Sequence, residues 1–179
     1  MGFKQSINLQ NTNEFQHYYI NMFPGLRYFV CGYVNYPDVA DDLIQDIWLK
    51  IWEQEMTFPN EAALKAYLYR SLRNSSLNYL RSQAHEQERY QHYAETDEEE
   101  DTILNKIIEA EVYAMLNEAF SELTNASKRT YIESLKGKSQ KEIAEMLNIS
   151  VNTVKRHINN ANHYLRKRLE KILFLFIIS

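Results

Sequence analysis

The sequence predicts an all-α protein: two small helical domains joined by a flexible acidic linker, the second containing a helix-turn-helix. Three observations carry this expectation. Helix breakers are scarce, with four glycines and three prolines in 179 residues. Apolar residues recur at helical spacing in successive blocks. Charge is segregated beneath a formal net charge of −4: residues 1–84 hold seven basic and eight acidic side chains, residues 85–103 hold one and eight, and residues 104–179 hold twelve and eight. An acidic stretch without apolar period, between two periodic blocks, reads as a solvated linker. The expected domains are therefore 1–84 and 104–179, with 85–103 between them.

The first helical block runs from about Asn13 to Tyr33 and is rich in aromatic residues: Phe15, Tyr18, Tyr19, Phe23, Tyr28 and Phe29. Rings at this spacing are core rather than a base-stacking platform. Pro24 lacks an N–H and is expected to kink or divide the helix. The second block is "DVADDLIQDIWLKIWEQ". Asp38 is suited to cap it, and Leu43, Ile47 and Ile51 form one face with Trp48 and Trp52 beside it. Asp41, Asp42, Gln45 and Asp46 lie on other faces. Acidic residues favour a helix amino terminus through the dipole; an acidic-polar face beside large apolar residues also suits a docking surface.

The third block is "NEAALKAYLYRSLRNSSLNYLRSQ". Ala63, Tyr67, Leu68, Leu72, Leu77 and Leu80 are expected inside. Arg70, Arg73, Asn74, Asn78, Tyr79 and Arg81 are expected outside. Arginines, amides and a tyrosine on one helix suit a nucleic-acid strand, including an unpaired one, and an ordinary solvated face has the same composition.

The carboxyl-terminal block contains "KSQKEIAEMLNISVNTVKRHINNANHYLRKRL". Ser139 and Glu142 stand three apart as a capping box, which predicts a helix from about Gln140. Ile143, Ala144 and Leu147 supply its apolar face. Asn148 tolerates the left-handed conformation, Ile149 is positioned for burial, and Ser150 is suited to cap a second helix. Val151, Val154, Ile158, Ala161 and Leu165 continue at helical spacing. Two short helices across a tight turn make a helix-turn-helix. The exposed side of its second helix carries Asn152, Thr153, Lys155, Arg156, Asn159 and Asn160, donors suited to phosphates and base edges.

Several function classes lack support. Cys31 is the one cysteine, which excludes an internal disulfide and fits a reducing cytoplasm. There is no glycine-rich phosphate loop and no zinc-type Cys/His pairing, and His85 and His92 have no partner at ligand spacing. No cofactor, metal, small-molecule substrate or catalytic residue is expected. The amino terminus has no apolar run of signal-peptide type. "ILFLFII" at residues 172–178 is too short to span a bilayer, so no membrane insertion is expected. Left in water such a run invites aggregation, so it is expected to be buried, against its own domain or under a partner.

In order and spacing these motifs resemble the extracytoplasmic-function (ECF) sigma factors, compact two-domain bacterial subunits of RNA polymerase. "VADDLIQDIWLKIW" resembles the region 2 segment that grips the polymerase clamp. The resemblance implies core-polymerase contacts by Asp41, Asp42, Gln45, Asp46, Trp48 and Trp52. "LKAYLYRSLRNSSLNYLR" resembles the segment that recognises and opens the minus-ten element. It implies DNA contacts by Arg70, Arg73, Asn74, Asn78, Tyr79 and Arg81, and capture of a base beside the loop before this helix, where Phe58 is either core or a stacking wall.

The stretch from Glu118 to Leu169 resembles region 4, implying minus-thirty-five contacts by Ser150, Asn152, Thr153, Lys155, Arg156 and Asn159. One departure is Thr124, where the family usually has a proline after the leucine corresponding to Leu123. The implied partners are RNA polymerase core, promoter DNA and an anti-sigma factor. From the residues alone, a helix-turn-helix regulator binding duplex DNA as a homodimer, and a protein-binding helical adaptor, stay open.

Overall fold

The computed structural model describes residues 6–86 and 100–178. Most of the acidic stretch, including His92, lies outside them, as do the side chains of His85 and of the apolar run at 172–178. The chain forms two compact units, Met1–Ala114 and Met115–Ser179.

In the first unit, helix α1 (Thr12–Val34) starts at Asn11, whose side chain accepts from the Asn13 and Glu14 backbone N–H groups. It ends at Asn35 in the left-handed region, φ 56°, a conformation asparagine tolerates. Pro24 does not divide it: α1 is one helix through the proline. The hydrogen bond missing there is offset by burial on either side, at Met22, Gly25, Leu26 and Phe29. Helix α2 (Pro37–Glu53) starts with Pro37 at its first position rather than with a cap from Asp38, and its N-cap, Tyr36, makes no side-chain cap bond. Proline suits that position because its missing N–H would have no helical partner.

The buried strip of α2 is Ala40, Ile44, Ile47, Trp48 and Ile51. Trp48 is therefore core, 1% exposed. The edge-to-face ring of Phe15, 5.3 Å away, and the ring of Tyr19 at 5.6 Å hold it there.

One short antiparallel ladder accompanies the helices, in keeping with the all-α class. Strand β1 (Ile7–Asn8) pairs with β2 (Thr57–Phe58), with Ile7 opposite Phe58. Phe58 is buried in the core cluster, which resolves its two sequence readings in favour of core. Helix α3 (Glu61–Glu86) follows, with the Asn60 side chain accepting from the Ala63 N–H. Leu64, Leu68, Tyr69 and Leu72 fill the core, whereas Leu77 and Leu80 are half-buried.

Helix α4 (Glu100–Ser121) begins inside the stretch read from sequence as linker. Residues 104–114, placed by sequence with the second domain, pack in the first unit. Ala110 is fully buried in that unit's core. Glu111 accepts from Lys65 Nζ and from the Tyr69 hydroxyl, each at 2.6 Å. Burial and this carboxylate together push the Tyr69 phenol well above its ordinary value. Gly25 is required here, because a Cβ would stand 3.0 Å from the Ala110 carbonyl oxygen and 3.1 Å from Ala114 Cβ.

The second unit holds helices α5 (Asn125–Leu135), α6 (Gln140–Leu147) and α7 (Val151–Ile178). Thr124 caps α5, its side chain accepting from the Ser127 N–H. The capping box at α6 is complete, with Glu142 N–H donating to Ser139 Oγ and Ser139 N–H to Glu142 Oε2. Asn148 ends α6 at φ 52°. Ile143, Ala144 and Val154 form the core cluster, with Leu147, Ile149 and Ile158 against it. Val151, expected to continue the apolar face, is instead exposed. Helix α7 continues through the backbone of the apolar run to Ile178.

Candidate nucleic-acid and docking surfaces

On α2, Asp42, Gln45 and Asp46 are exposed together. Leu49, three and four residues further on, extends the same strip and is 54% exposed. Sequence reasoning missed it because an apolar residue in an amphipathic helix is assigned to the core by default. Asp41 stands at the margin, half-buried and accepting from Arg27 Nε at 2.6 Å. Trp52 is also marginal: half-buried, with its ring 5.1 Å from Phe15 and its carbonyl accepting from Gln10 Nε2. Trp48 lies inside and is not part of this surface. Its large ring is compatible with either position, and only the packing of α1 decides.

On α3, Arg70, Asn74, Asn78 and Arg81 are exposed. Their spacing of four, four and three keeps them on one side of the helix. Arg81 Nη1 donates to Asn78 Oδ1 at 3.1 Å. This row can offer guanidinium and amide donors to phosphates and base edges. Arg73 and Tyr79 are half-buried instead, with Tyr79 packed against the core of the first unit.

On α7, Asn152, Lys155, Arg156 and Asn159 are exposed at positions i, i+3, i+4 and i+7, one strip of a helix. Ser150 and Thr153 are occupied differently. The Thr153 N–H donates to Ser150 Oγ at 3.1 Å, and the two hydroxyls lie 2.8 Å apart. Both side chains therefore build the start of the helix. The Ser150 hydroxyl is exposed, and Thr153 is half-buried.

Before α6, Glu133 is gripped by Lys136 and Lys138 at 2.8 and 2.7 Å. Hydrogen bonds from both lysines draw its carboxyl down to about 2. Glu142 is also held below its ordinary value, first by its bonds to Ser139. These contacts hold the start of α6 in place. Among the described residues no group of acidic, His or Cys side chains is arranged to hold a metal ion. Likewise, among the described residues no helix is long and apolar enough to cross a membrane.

The three exposed strips fall within two recognised sequence families. The family model for Sigma-70 region 2 matches residues 21–86, which hold the strips on α2 and α3. The model for Sigma-70, region 4 matches residues 113–161, which hold the strip on α7. Together they cover well over half of the chain. The chain is also similar to the ECF RNA polymerase sigma-E factor of Haemophilus influenzae, 26% identical over 185 residues, which covers 96% of this chain and 92% of that relative. Two sigma regions in this order, with an ECF relative matching nearly end to end, place the chain in the sigma-70 family as an ECF sigma factor, which directs RNA polymerase core to promoters and initiates transcription.

Proposed function

We propose a division of labour among the three strips. Asp42, Gln45, Asp46 and Leu49 dock region 2 on polymerase core, with Asp41 and Trp52 at the edge of that contact. Arg70, Asn74, Asn78 and Arg81 hold the melted minus-ten strand, with Arg73 and Tyr79 flanking them. Asn152, Lys155, Arg156 and Asn159 read the minus-thirty-five duplex from the major groove, while Ser150 and Thr153 fix the start of that helix. The observation that carries this reading is the separation of charge: an exposed acidic strip on α2 and exposed basic-amide strips on α3 and α7.

The mechanism is binding without catalysis by this chain. Docking and two DNA contacts, each weak, act together through effective concentration because one chain carries all three strips. The acid of residues 85–103 favours a path along surfaces that otherwise receive nucleic acid. Such work belongs in the cytoplasm, and an anti-sigma factor that covers these strips is the natural regulator.

Purified chain added to core polymerase is expected to start transcripts from discrete sites on genomic fragments. Lys155→Ala and Arg156→Ala are expected to weaken upstream protection. A phosphate contact lowers affinity evenly and flattens the salt slope, whereas a base contact relaxes one position, by about 1–3 kcal/mol. Unchanged upstream protection in both variants would remove the α7 assignment.

A further inference from the structure

The residues that pack α7 onto α5 are unusual for a helix interface. The buried residues of α5 are Ser127 and Thr130, both hydroxyl side chains. Thr130 Oγ1 bonds back to the Ala126 carbonyl. Ser127 reaches across: its Oγ lies 3.0 Å from His157 Nδ1 on α7. Thr124 Oγ1 donates to Ser127 Oγ at 3.0 Å, and the imidazole tautomer sets whether Ser127 or His157 supplies the proton between them. The Ser127 N–H donates in turn to Thr124 Oγ1. One turn along α5, the Tyr131 hydroxyl donates to Asn162 Oδ1 at 2.9 Å. Thr124 thus starts a relay that needs a side-chain hydroxyl at its position.

The geometry sets what these bonds do. At 3.6 residues per turn, positions 157 and 162 lie about 140° apart around α7. They flank the buried strip of Val154, Ile158 and Ala161 on opposite sides. Apolar contact is non-directional, and the core behind α7 is small. Hydrogen bonds weaken steeply with angle and distance. Turning α7 in either direction stretches one of the two bonds, so the pair opposes rotation both ways.

We propose that His157 and Asn162 are positioning residues for DNA reading. Held by Ser127 and Tyr131, they set the rotation of α7 and so the aim of Asn152, Lys155, Arg156 and Asn159. This rests on the α7 reading given above. His157 stands next to Arg156 but acts through α5, not on the DNA.

The test uses full-length chain with core polymerase on a promoter fragment recovered by transcribing genomic DNA. His157→Ala, Ser127→Ala and Tyr131→Phe are each expected to weaken upstream protection about five- to tenfold, the size of one hydrogen bond, with core binding unchanged. Tyr131→Phe removes one oxygen and keeps the ring beside Phe120, so it tests the idea even if the histidine variant folds poorly. His157→Asn, whose amide can either accept from or donate to the Ser127 hydroxyl, is expected to restore most of the binding. His157→Ala combined with Ser127→Ala is expected to be no worse than either alone, as for partners in one interaction.

Wild-type upstream protection in His157→Ala, Ser127→Ala and Tyr131→Phe, alongside a loss in Arg156→Ala, would overturn the positioning role and leave the α7 reading standing. No loss in Arg156→Ala or Lys155→Ala either would bring down the α7 reading itself. Additive losses without rescue by His157→Asn would mean that His157 touches DNA directly, which also overturns the proposal.

Discussion

Arg27 donates through Nε to Asp41 across 2.6 Å, so one carboxylate of the proposed docking helix is already engaged by a neighbouring helix. Asp42 and Asp46 face outward. The three acids of "DDLIQD" should therefore respond differently to substitution. Asp46→Arg, alone or with Asp42→Arg, is expected to abolish competition for polymerase core. Exposed swaps of this kind shift stability by no more than about 0.5 kcal/mol, whereas like charge across an interface costs several kcal/mol. Asp41→Asn is expected to lower the melting temperature before it weakens docking. A folded Asp46→Arg variant that competes fully for core would end the docking assignment.

Asn74 sits in the middle of the exposed row on α3. Asn74→Ala is expected to leave core binding intact and to reduce open-complex formation, read by the reactivity of unpaired thymines around the start site. Removing an amide that bonds a base edge costs about 1–3 kcal/mol. Equal loss of core binding and opening would point to a folding defect and away from strand recognition.

Glu133 predicts an acid-sensitive second domain. Its carboxyl is drawn down to about 2 from an ordinary 4.5 by Lys136 and Lys138. Between those values the unfolded chain binds the proton more readily than the folded one. The stabilisation is thus present above about 4.5 and is lost as pH falls through about 2. Glu133→Gln is expected to flatten that limb of the acid-unfolding curve by lowering the neutral plateau by the same amount. An unchanged acid limb would show that the lysines do not hold the carboxylate in solution.

Asn148 turns the chain between α6 and α7 with φ 52°. Asn148→Ala is expected to cost about 1 kcal/mol, because a Cβ is disfavoured in the left-handed region. Asn148→Gly is expected to be close to neutral. Thermal melts of the full chain measure both, and equal stabilities of the two variants would refute the backbone argument.

Local chemistry made the second domain readable from sequence. The capping box at Ser139 and Glu142, the turn at Asn148 and the cap at Ser150 each depend on residues within three positions of one another, and all are present. The strips on α3 and α7 were readable for the same reason, since exposure follows helical period where one face is apolar.

What tertiary structure alone decided lies between elements distant in sequence. Two-residue strands such as Ile7–Asn8 and Thr57–Phe58 have no alternation to detect, and they exist because each supplies the other's hydrogen bonds. Trp48 went inward because Phe15 and Tyr19 close over it. Residues 104–114 joined the first unit because Ala110 fits against Gly25, and Glu111 finds Lys65 and Tyr69 across more than forty residues of chain. The aim of α7 rests on Ser127 meeting His157. Periodicity determines which face of a helix is buried, but the partner that buries it, and the polar bonds that lock its rotation, are set by contacts that no single stretch of sequence contains.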